Sequence, residues 1–361
     1  MRRTIMGRQS FTGRGALSNP PGRFDRQKLE AVDDGWFLEE SPDSIATTLE
    51  PDRARSVITT NDSPDIPFEK SINPYRGCSN GCVYCFARPS HAYLGLSPGI
   101  DFETRLFYKA DAAQLLESEL ARPDYVCKPI TVGANTDPYQ PVERQMKVTR
   151  SILEVLARAR HPVTVITKSA MVLRDLDLLA EMARNGLATV GVSVTSLDNE
   201  LKRTLEPRAA SPQARLRALA ALSAAGVPSG VLVAPVIPAL TDHEMERILE
   251  EAARAGVRWA GYVLLRLPYE IKDLFTEWLA EHYPERAAHV MSLISAMRGG
   301  RANDPRFGFR MRGTGPYAEL LRNRFRIACR RLNLNAAARD PLNTALFRPP
   351  APPGSQLRLE L

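Results

Sequence analysis

A chain of 361 residues with 44% hydrophobic content, 48 Lys and Arg against 41 Asp and Glu, and a net charge of +7 has the material for a large buried core. Five cysteines, three of them inside eight residues, argue against a disulfide framework, and no apolar run approaches the roughly 20 residues of a membrane span. The polar, Arg-rich start lacks the apolar segment of a secretory leader, so the expected location is the cytoplasm.

Residues 1–28 carry Arg2, Arg3, Arg8, Arg14, Arg23, Arg26 and Lys28 against Asp25, with Gly, Ser and Pro between them and no apolar period. This predicts a disordered basic arm, within an extension reaching residue 60. The core is expected over 61–270, where apolar runs predict strands at 71–75, 130–134, 163–167, 188–194, 229–233 and 259–264. Helical periods fall between them at 110–121, 149–160, 173–185, 212–225 and 244–255, and Gly186, Gly226 and Gly256 stand where left-handed C-caps are expected. Six βα steps predict a barrel or partial barrel whose site is built by loops after the strand C-termini.

A helical extension is expected over 271–338. In PYAELLRNRFRIACRRLNL, Leu321, Phe325, Ala328 and Leu332 form a buried stripe, with Arg322, Arg326 and Arg330 beside it as a solvated flank or a phosphate-binding face. The tail, 339–361, contains RPPAPPG and should be irregular. The net charge permits a polyanionic partner such as DNA or RNA without requiring one.

The chemistry concentrates in the loop after the first predicted strand, NPYRGCSNGCVYCFARPSHAY, with Cys78, Cys82 and Cys85. Thiolates at this spacing can wrap one face of a [4Fe-4S] cluster and leave one iron without a protein thiolate, and Gly77 and Gly81 suit the tight turns required. A zinc site completed by His91 is the competing reading. Three unliganded thiols so close together would be an oxidation liability.

The CxxxCxYC form, with Tyr84 before the last cysteine, resembles the signature of the radical S-adenosylmethionine superfamily. The stretches ITVGANTDPYQPVER, VTVITKS, VGVSVTSLDNELKRTLEPRAASPQARL and APVIPALTD resemble its spore photoproduct lyase-like branch, especially bacterial members labelled DNA repair photolyases. The resemblance spans residues 71–267 and implies an α/β fold, a partial (β/α)6 TIM-like barrel with a C-terminal helical extension. It also implies a [4Fe-4S] cluster on the three cysteines, S-adenosylmethionine on the open iron, a 5'-deoxyadenosyl radical that takes hydrogen from substrate, and an electron donor such as flavodoxin or ferredoxin.

By the same resemblance, Asn135, Thr136 and Asp137 would hold the methionine amino group and Lys168 its carboxylate. Ser193 would touch the cofactor, Glu206 and Arg208 the ribose or substrate, and Val236 and Ile237 the adenine, with an edge or backbone contact from Tyr84. Spore photoproduct lyases return a hydrogen atom from a cysteine near the end of the second strand, and GANTDPYQ contains none. Cys127 and Cys329 lie elsewhere and are too few for an auxiliary cluster. Thymine-dimer reversal is therefore not expected, and Tyr139 or Tyr75 becomes the candidate hydrogen-atom relay. Three readings result: a radical enzyme acting on DNA or RNA, one acting on a protein, peptide or small metabolite, and a non-catalytic zinc-dependent nucleic-acid-binding module.

Overall fold

The computed structural model describes residues 11–25 and 44–351, so Arg2, Arg3, Arg8, Arg26, Lys28 and the end of the Pro-rich tail lie outside the described residues. The strands are β1 (Thr48–Pro51), β2 (Ile58–Thr60), β3 (Lys70–Ile72), β4 (Tyr75–Arg76), β5 (Arg105–Tyr108), β6 (Ile130–Val132), β7 (Val163–Thr167), β8 (Ala188–Ser193), β9 (Ser229–Val236) and β10 (Trp259–Leu264). The helices are α1 (Asp101–Thr104), α2 (Ala112–Leu120), α3 (Glu143–Met146), α4 (Val148–Arg158), α5 (Leu176–Arg184), α6 (Asn199–Leu205), α7 (Pro212–Ala224), α8 (Met245–Arg254), α9 (Ile271–His282), α10 (Pro284–Ala296) and α11 (Gly315–Arg331).

Seven strands form one open sheet in the order β10-β9-β8-β7-β6-β3-β2. The strands from β3 to β10 run parallel, and β2 pairs antiparallel on the outer edge. Among the described residues β10 does not close onto β3, so the architecture is the expected partial barrel. Helices α4, α5, α7 and α8 connect successive parallel strands and cover them, burying Ile72, Val132, Val165, Val190 and Val231. Gly186, Gly226 and Gly256 have φ of +67°, +75° and +85°, which ends three of these helices in the left-handed region.

The first predicted strand is broken in two. Asn73 turns its side chain to the amides of Asn135 and Thr136, at 2.8 and 3.4 Å, and Pro74 has no N–H to continue a ladder. The chain resumes as β4 in a small second sheet, ordered β1-β5-β4. Neither β1 nor β5 has an apolar alternation that composition could reveal, and β1 and β2 fall inside the stretch expected to be disordered.

Residues 11–25 also depart from the expectation of a disordered arm. Arg14 Nη1 donates to the Glu103 carbonyl at 3.1 Å, and the amides of Gly15 and Ala16 donate to the Glu103 carboxylate at 3.0 and 2.9 Å. Farther along, Ser18 Oγ reaches Glu277 and the Arg23 guanidinium lies over the rings of Phe24, Tyr93 and Tyr269. What holds this segment is a distant buried acceptor rather than its own hydrophobic pattern.

The C-terminal helices are joined to the barrel at its site end. Trp278 on α9 shares a core with Val83, Tyr84, Leu205, Ile237 and Leu265, and its indole N–H donates to the Thr204 carbonyl at 3.1 Å. On α11, Arg324 and Arg331 pair with Glu246 and Glu250 of α8, while Arg322, Arg326 and Arg330 are exposed. Buried Arg298 donates to the carbonyls of Leu264, Leu265, Phe309 and Arg310, fastening the segment after α10 to the end of β10. Arg298→Met would leave these carbonyls without donors, and we expect it to lower the unfolding free energy by roughly 2–4 kcal/mol. The reading is a lower urea midpoint at unchanged slope.

Candidate functional site

The cysteine loop follows β4 and ends in a 3-10 turn, Arg88–Leu94. Its backbone is pinned from every side. Cys78 N donates to Phe102 O at 2.9 Å, Val83 N to Leu205 O at 3.2 Å, and Arg208 N to Asn80 O at 3.2 Å. Gln140 clamps the entry, accepting from Ser79 N at 2.8 Å and donating to Gly77 O at 3.2 Å. Arg88, wholly buried, donates to Cys82 O at 2.9 Å, to Pro98 O and Gly99 O, and to the buried carboxylate of Glu103. Gly81 has φ +71°, and a Cβ there would lie 2.8 Å from Glu103 Oε2 and 3.0 Å from Pro207 Cγ, so the turn has both the conformation and the space of a glycine.

Cys78 and Cys82 are buried and Cys85 is half-buried. Burial, then the charges of Asp137 and Cys85, push the Cys78 thiol up to about 12. Burial and Glu206 push Cys82 well above its ordinary value, although Lys168 draws it the other way. The thiols sense one another, and their anions are unfavourable here unless a cation joins them. Such a pocket fits iron held as thiolates.

It does not fit the zinc reading. His91 Nε2 is 2.9 Å from Arg105 O and its ring packs against Phe102 and Phe107, while its buried Nδ1 has no hydrogen-bond partner among the described residues and joins no metal-ligating group there. Among the described residues no three Cys, His, Asp or Glu side chains gather as a single ion requires. A cubic cluster, which takes its thiolates at separate corners, asks for a wider arrangement.

Beside the loop, the strand ends bring together Tyr84, Lys168 and Glu206. Tyr84 donates its hydroxyl to Glu206, which also accepts from Thr195 Oγ1 at 2.7 Å and from Arg215. Burial would raise the Glu206 carboxyl, but the charges of Arg215 and Lys168 and the bonds from Tyr84 and Arg215 hold it at about 2. Lys168 Nζ lies 5.8 Å from the centre of the Tyr84 ring and has no carboxylate within ion-pair distance among the described residues. Ser193, at the end of β8, presents its carbonyl to Arg215 Nη1 at 3.1 Å. Val236 and Ile237 are buried at the end of β9, where Val236 O accepts from Leu265 N at 3.0 Å.

Other expected residues are placed differently. Asp137 spends Oδ1 on Thr167 Oγ1 (2.6 Å) and Tyr139 N (2.9 Å), and Oδ2 on Asn80 Nδ2 (2.9 Å) and Lys168 N (2.8 Å). With two donors on each oxygen it ties loop to strands and has little capacity for an ammonium. Thr136 Oγ1 donates to Tyr75 O at 2.8 Å, while the Asn135 side chain is exposed. Arg208 is exposed, with Nη1 3.3 Å from Thr47 Oγ1 rather than beside Glu206.

The proposed relay tyrosines are also engaged elsewhere. Tyr75 donates to Glu143 and Tyr139 to Asp175, at 2.9 Å for the latter, and Arg174 bridges both buried carboxylates. The Tyr75 phenol ties β4 to α3, and the Tyr139 phenol ties the loop after β6 to the residue before α5. The residues that sequence reasoning missed are Arg88, Glu103, Gln140, Thr195 and Arg215. Only Arg215 left a trace, as a cation on the apolar face of PQARLRALAALSA.

The family model described as "Radical SAM superfamily" matches residues 72–252. Uncharacterized proteins of Mycobacterium tuberculosis and Mycobacterium bovis are 39% identical over 230 residues, covering 63% of this chain and 68% of theirs. A protein of Pseudomonas phage M6 named "Radical SAM Nalpha-GlyT isomerase" is 23% identical over 269 residues, covering 67% of this chain and 50% of its own. In fold, the chain is similar to spore photoproduct lyase complexed with dinucleoside spore photoproduct, at a TM-score of 0.56 and 18% identity over 79% of this chain and 78% of the other.

The Glu206 carboxylate gives a pH test. Its folded pKa lies below the ordinary 4.5, so its stabilisation is complete above that value and is lost as pH falls toward about 2. In urea denaturation between these limits, Glu206→Gln should flatten the slope of stability against pH by up to about 1.4 kcal/mol per pH unit. Parallel curves would remove Glu206 from the account.

Proposed function

The chain belongs to the radical S-adenosylmethionine superfamily, and from that premise we propose that Cys78, Cys82 and Cys85 hold a [4Fe-4S] cluster that works with S-adenosylmethionine on a nucleic-acid substrate. When bound, the pair supplies reductive cleavage of the sulfonium carbon-sulfur bond and a 5'-deoxyadenosyl radical able to take hydrogen from carbon. The observation that carries the reading is that three cysteines on one backbone-pinned loop lie beside Lys168, which sits over the Tyr84 ring without an ion-pair partner among the described residues, at the C-terminal end of a parallel strand. In such folds this is where ligands bind.

The chain's own groups divide the work. Lys168 Nζ offers a charge-assisted bond to the methionine carboxylate. Asn135, an exposed residue, is a better acceptor for the amino group than Asp137, each of whose oxygens already takes two donors. Ser193, Val236 and Ile237 line the strand ends for the nucleoside, with Tyr84 beside them. Glu206, buried and bonded to three partners, orients Tyr84 and holds the field around Lys168 rather than binding ribose. Arg208 acts through its backbone, which ties the loop.

An electron donor such as flavodoxin or ferredoxin is required, since nothing in the chain supplies the electron. Nucleic acid is favoured by the fold shared with a lyase solved with a dinucleoside photoproduct and by the exposed arginines of α11. Among the described residues no helix is long and apolar enough to cross a membrane. The missing cysteine after β6 sets this chain apart from spore photoproduct lyases, so a group other than a thiol at that position would return a hydrogen atom to the product.

Anaerobic protein given dithionite and S-adenosylmethionine should form 5'-deoxyadenosine, and alanine at any one of the three cysteines should abolish it together with the iron and sulfide content. Colourless protein with one zinc per chain would contradict the reading. Affinity for single-stranded DNA or RNA should fall steeply between about 50 and 200 mM salt. No binding at low salt would turn the substrate assignment toward a peptide or small metabolite.

A further inference from the structure

Arg266 is the first charged residue after β10, one position beyond Leu265, whose amide bonds to the end of β9. It is half-buried, and its buried Nε has no partner. Among the described residues its one hydrogen bond is Nη1 to Met311 Sδ at 3.6 Å, a weak acceptor. The guanidinium carbon lies 6.0 Å from the centre of the Phe86 ring. Phe86 directly follows Cys85 and is 48% exposed.

The surroundings show what a structural arginine looks like here. Arg298 shares with Arg266 a buried Nε without a partner, but its Nη atoms meet four carbonyls, and Arg310 is taken up by Asp65 and Ser63. The Asp65 carboxylate, whose charge is felt at Arg266, spends its hydrogen bonds on Arg310 and on Gly308 N at 2.6 Å and makes none to Arg266. Asp304 is likewise paired, with Arg306. Arg266 thus sits with two other guanidiniums, Arg298 and Arg310, whose nearby carboxylates are Asp304 and Asp65, and of the three Arg266 alone has no oxygen acceptor among the described residues. Burial and the charge of Arg310 lower its pKa, the expected cost of a cation kept without a partner.

We propose that Arg266, with Phe86 beside it, is the anchor for a phosphate group of the substrate. A guanidinium fork meets phosphate oxygens with paired hydrogen bonds, and the local excess of positive charge suits a group of more than one negative charge better than a single carboxylate. Phe86 supplies an exposed ring on which a base adjoining that phosphate stacks. Because Phe86 adjoins Cys85 and Arg266 adjoins the end of β9, a phosphate held there keeps the neighbouring sugar and base next to the radical-forming site. The placement of substrate rests on the function proposed above, but the binding itself is measured without turnover, so failure of one is distinguishable from failure of the other.

The test is anaerobic calorimetry on the reconstituted holoprotein with inorganic phosphate, a 5'-phosphorylated nucleoside, a dinucleoside monophosphate and a glutamyl peptide. Wild type should bind the phosphate probes more tightly than the peptide. Arg266→Gln should weaken them about tenfold or more, and Arg266→Lys, which keeps charge but loses the fork, about threefold. Arg254→Gln, at an exposed position of α8 where it pairs with Glu251, should stay within about twofold. Phe86→Ala removes an exposed ring that the fold does not need, and should weaken the nucleoside probes while sparing inorganic phosphate. If Arg266→Gln does not fold, the lysine and Phe86 variants carry the test. Binding of phosphate probes unchanged by these variants, equal binding of the peptide, or no phosphate binding by wild type would overturn the proposal. The tightest probe identifies a monoester or a diester as the source of the phosphate.

Discussion

The carboxylate of Glu103 is the point on which the site depends. Fully buried, it accepts the guanidinium of Arg88 and the amides of Gly15 and Ala16, and Arg88 in turn holds the carbonyl of Cys82. Three separate stretches of chain are thereby fixed to one another: the cysteine loop, the turn after it and the N-terminal segment. Removing one member of such a pair would leave a buried charge uncompensated, at a cost of about 3–5 kcal/mol. Gly81 passes so close to Glu103 that any side chain there would displace the same carboxylate.

A second buried pair, Glu206 with Arg215, does for the strand ends what the first does for the loop. It also sets the orientation of Tyr84, so the two networks share a border at the middle of the cysteine motif. The result is a floor held by buried ion pairs and a rim where, among the described residues, Lys168 and Arg266 have no ion-pair partner. Lys168 stands at the end of β7, inside the parallel run, and Arg266 just beyond β10 at its edge. Rigid below and unsatisfied above is the arrangement expected when ligands, rather than side chains, complete the charge balance.

Much of this was legible in the sequence wherever the physics is local. The periods of α4, α7 and α8, the left-handed caps after α5, α7 and α8, and the cysteine loop all announce themselves within a dozen residues. Asp137 and the two tyrosines were found as residues but not understood, because their roles depend on partners such as Asn80, Glu143 and Asp175 that only the fold brings near. The docking of residues 11–25 was hidden for the same reason: a basic, glycine-containing segment reads as disordered until a buried carboxylate 87 residues away is known. Arg88 and Glu103 carry no periodic or spacing signal at all. Their effect exists only in three dimensions.

The central claim is that a loop preorganised by Glu103 and Arg88 presents three thiolates and leaves one coordination site for S-adenosylmethionine. The most direct measurement is electron paramagnetic resonance of the dithionite-reduced protein, with and without S-adenosylmethionine, in wild type and in Glu103→Gln. The account predicts a reduced [4Fe-4S] signal in wild type that shifts when S-adenosylmethionine is added, and a weakened or heterogeneous signal in the variant. A wild-type signal indifferent to S-adenosylmethionine, or a variant spectrum identical to wild type, would contradict it.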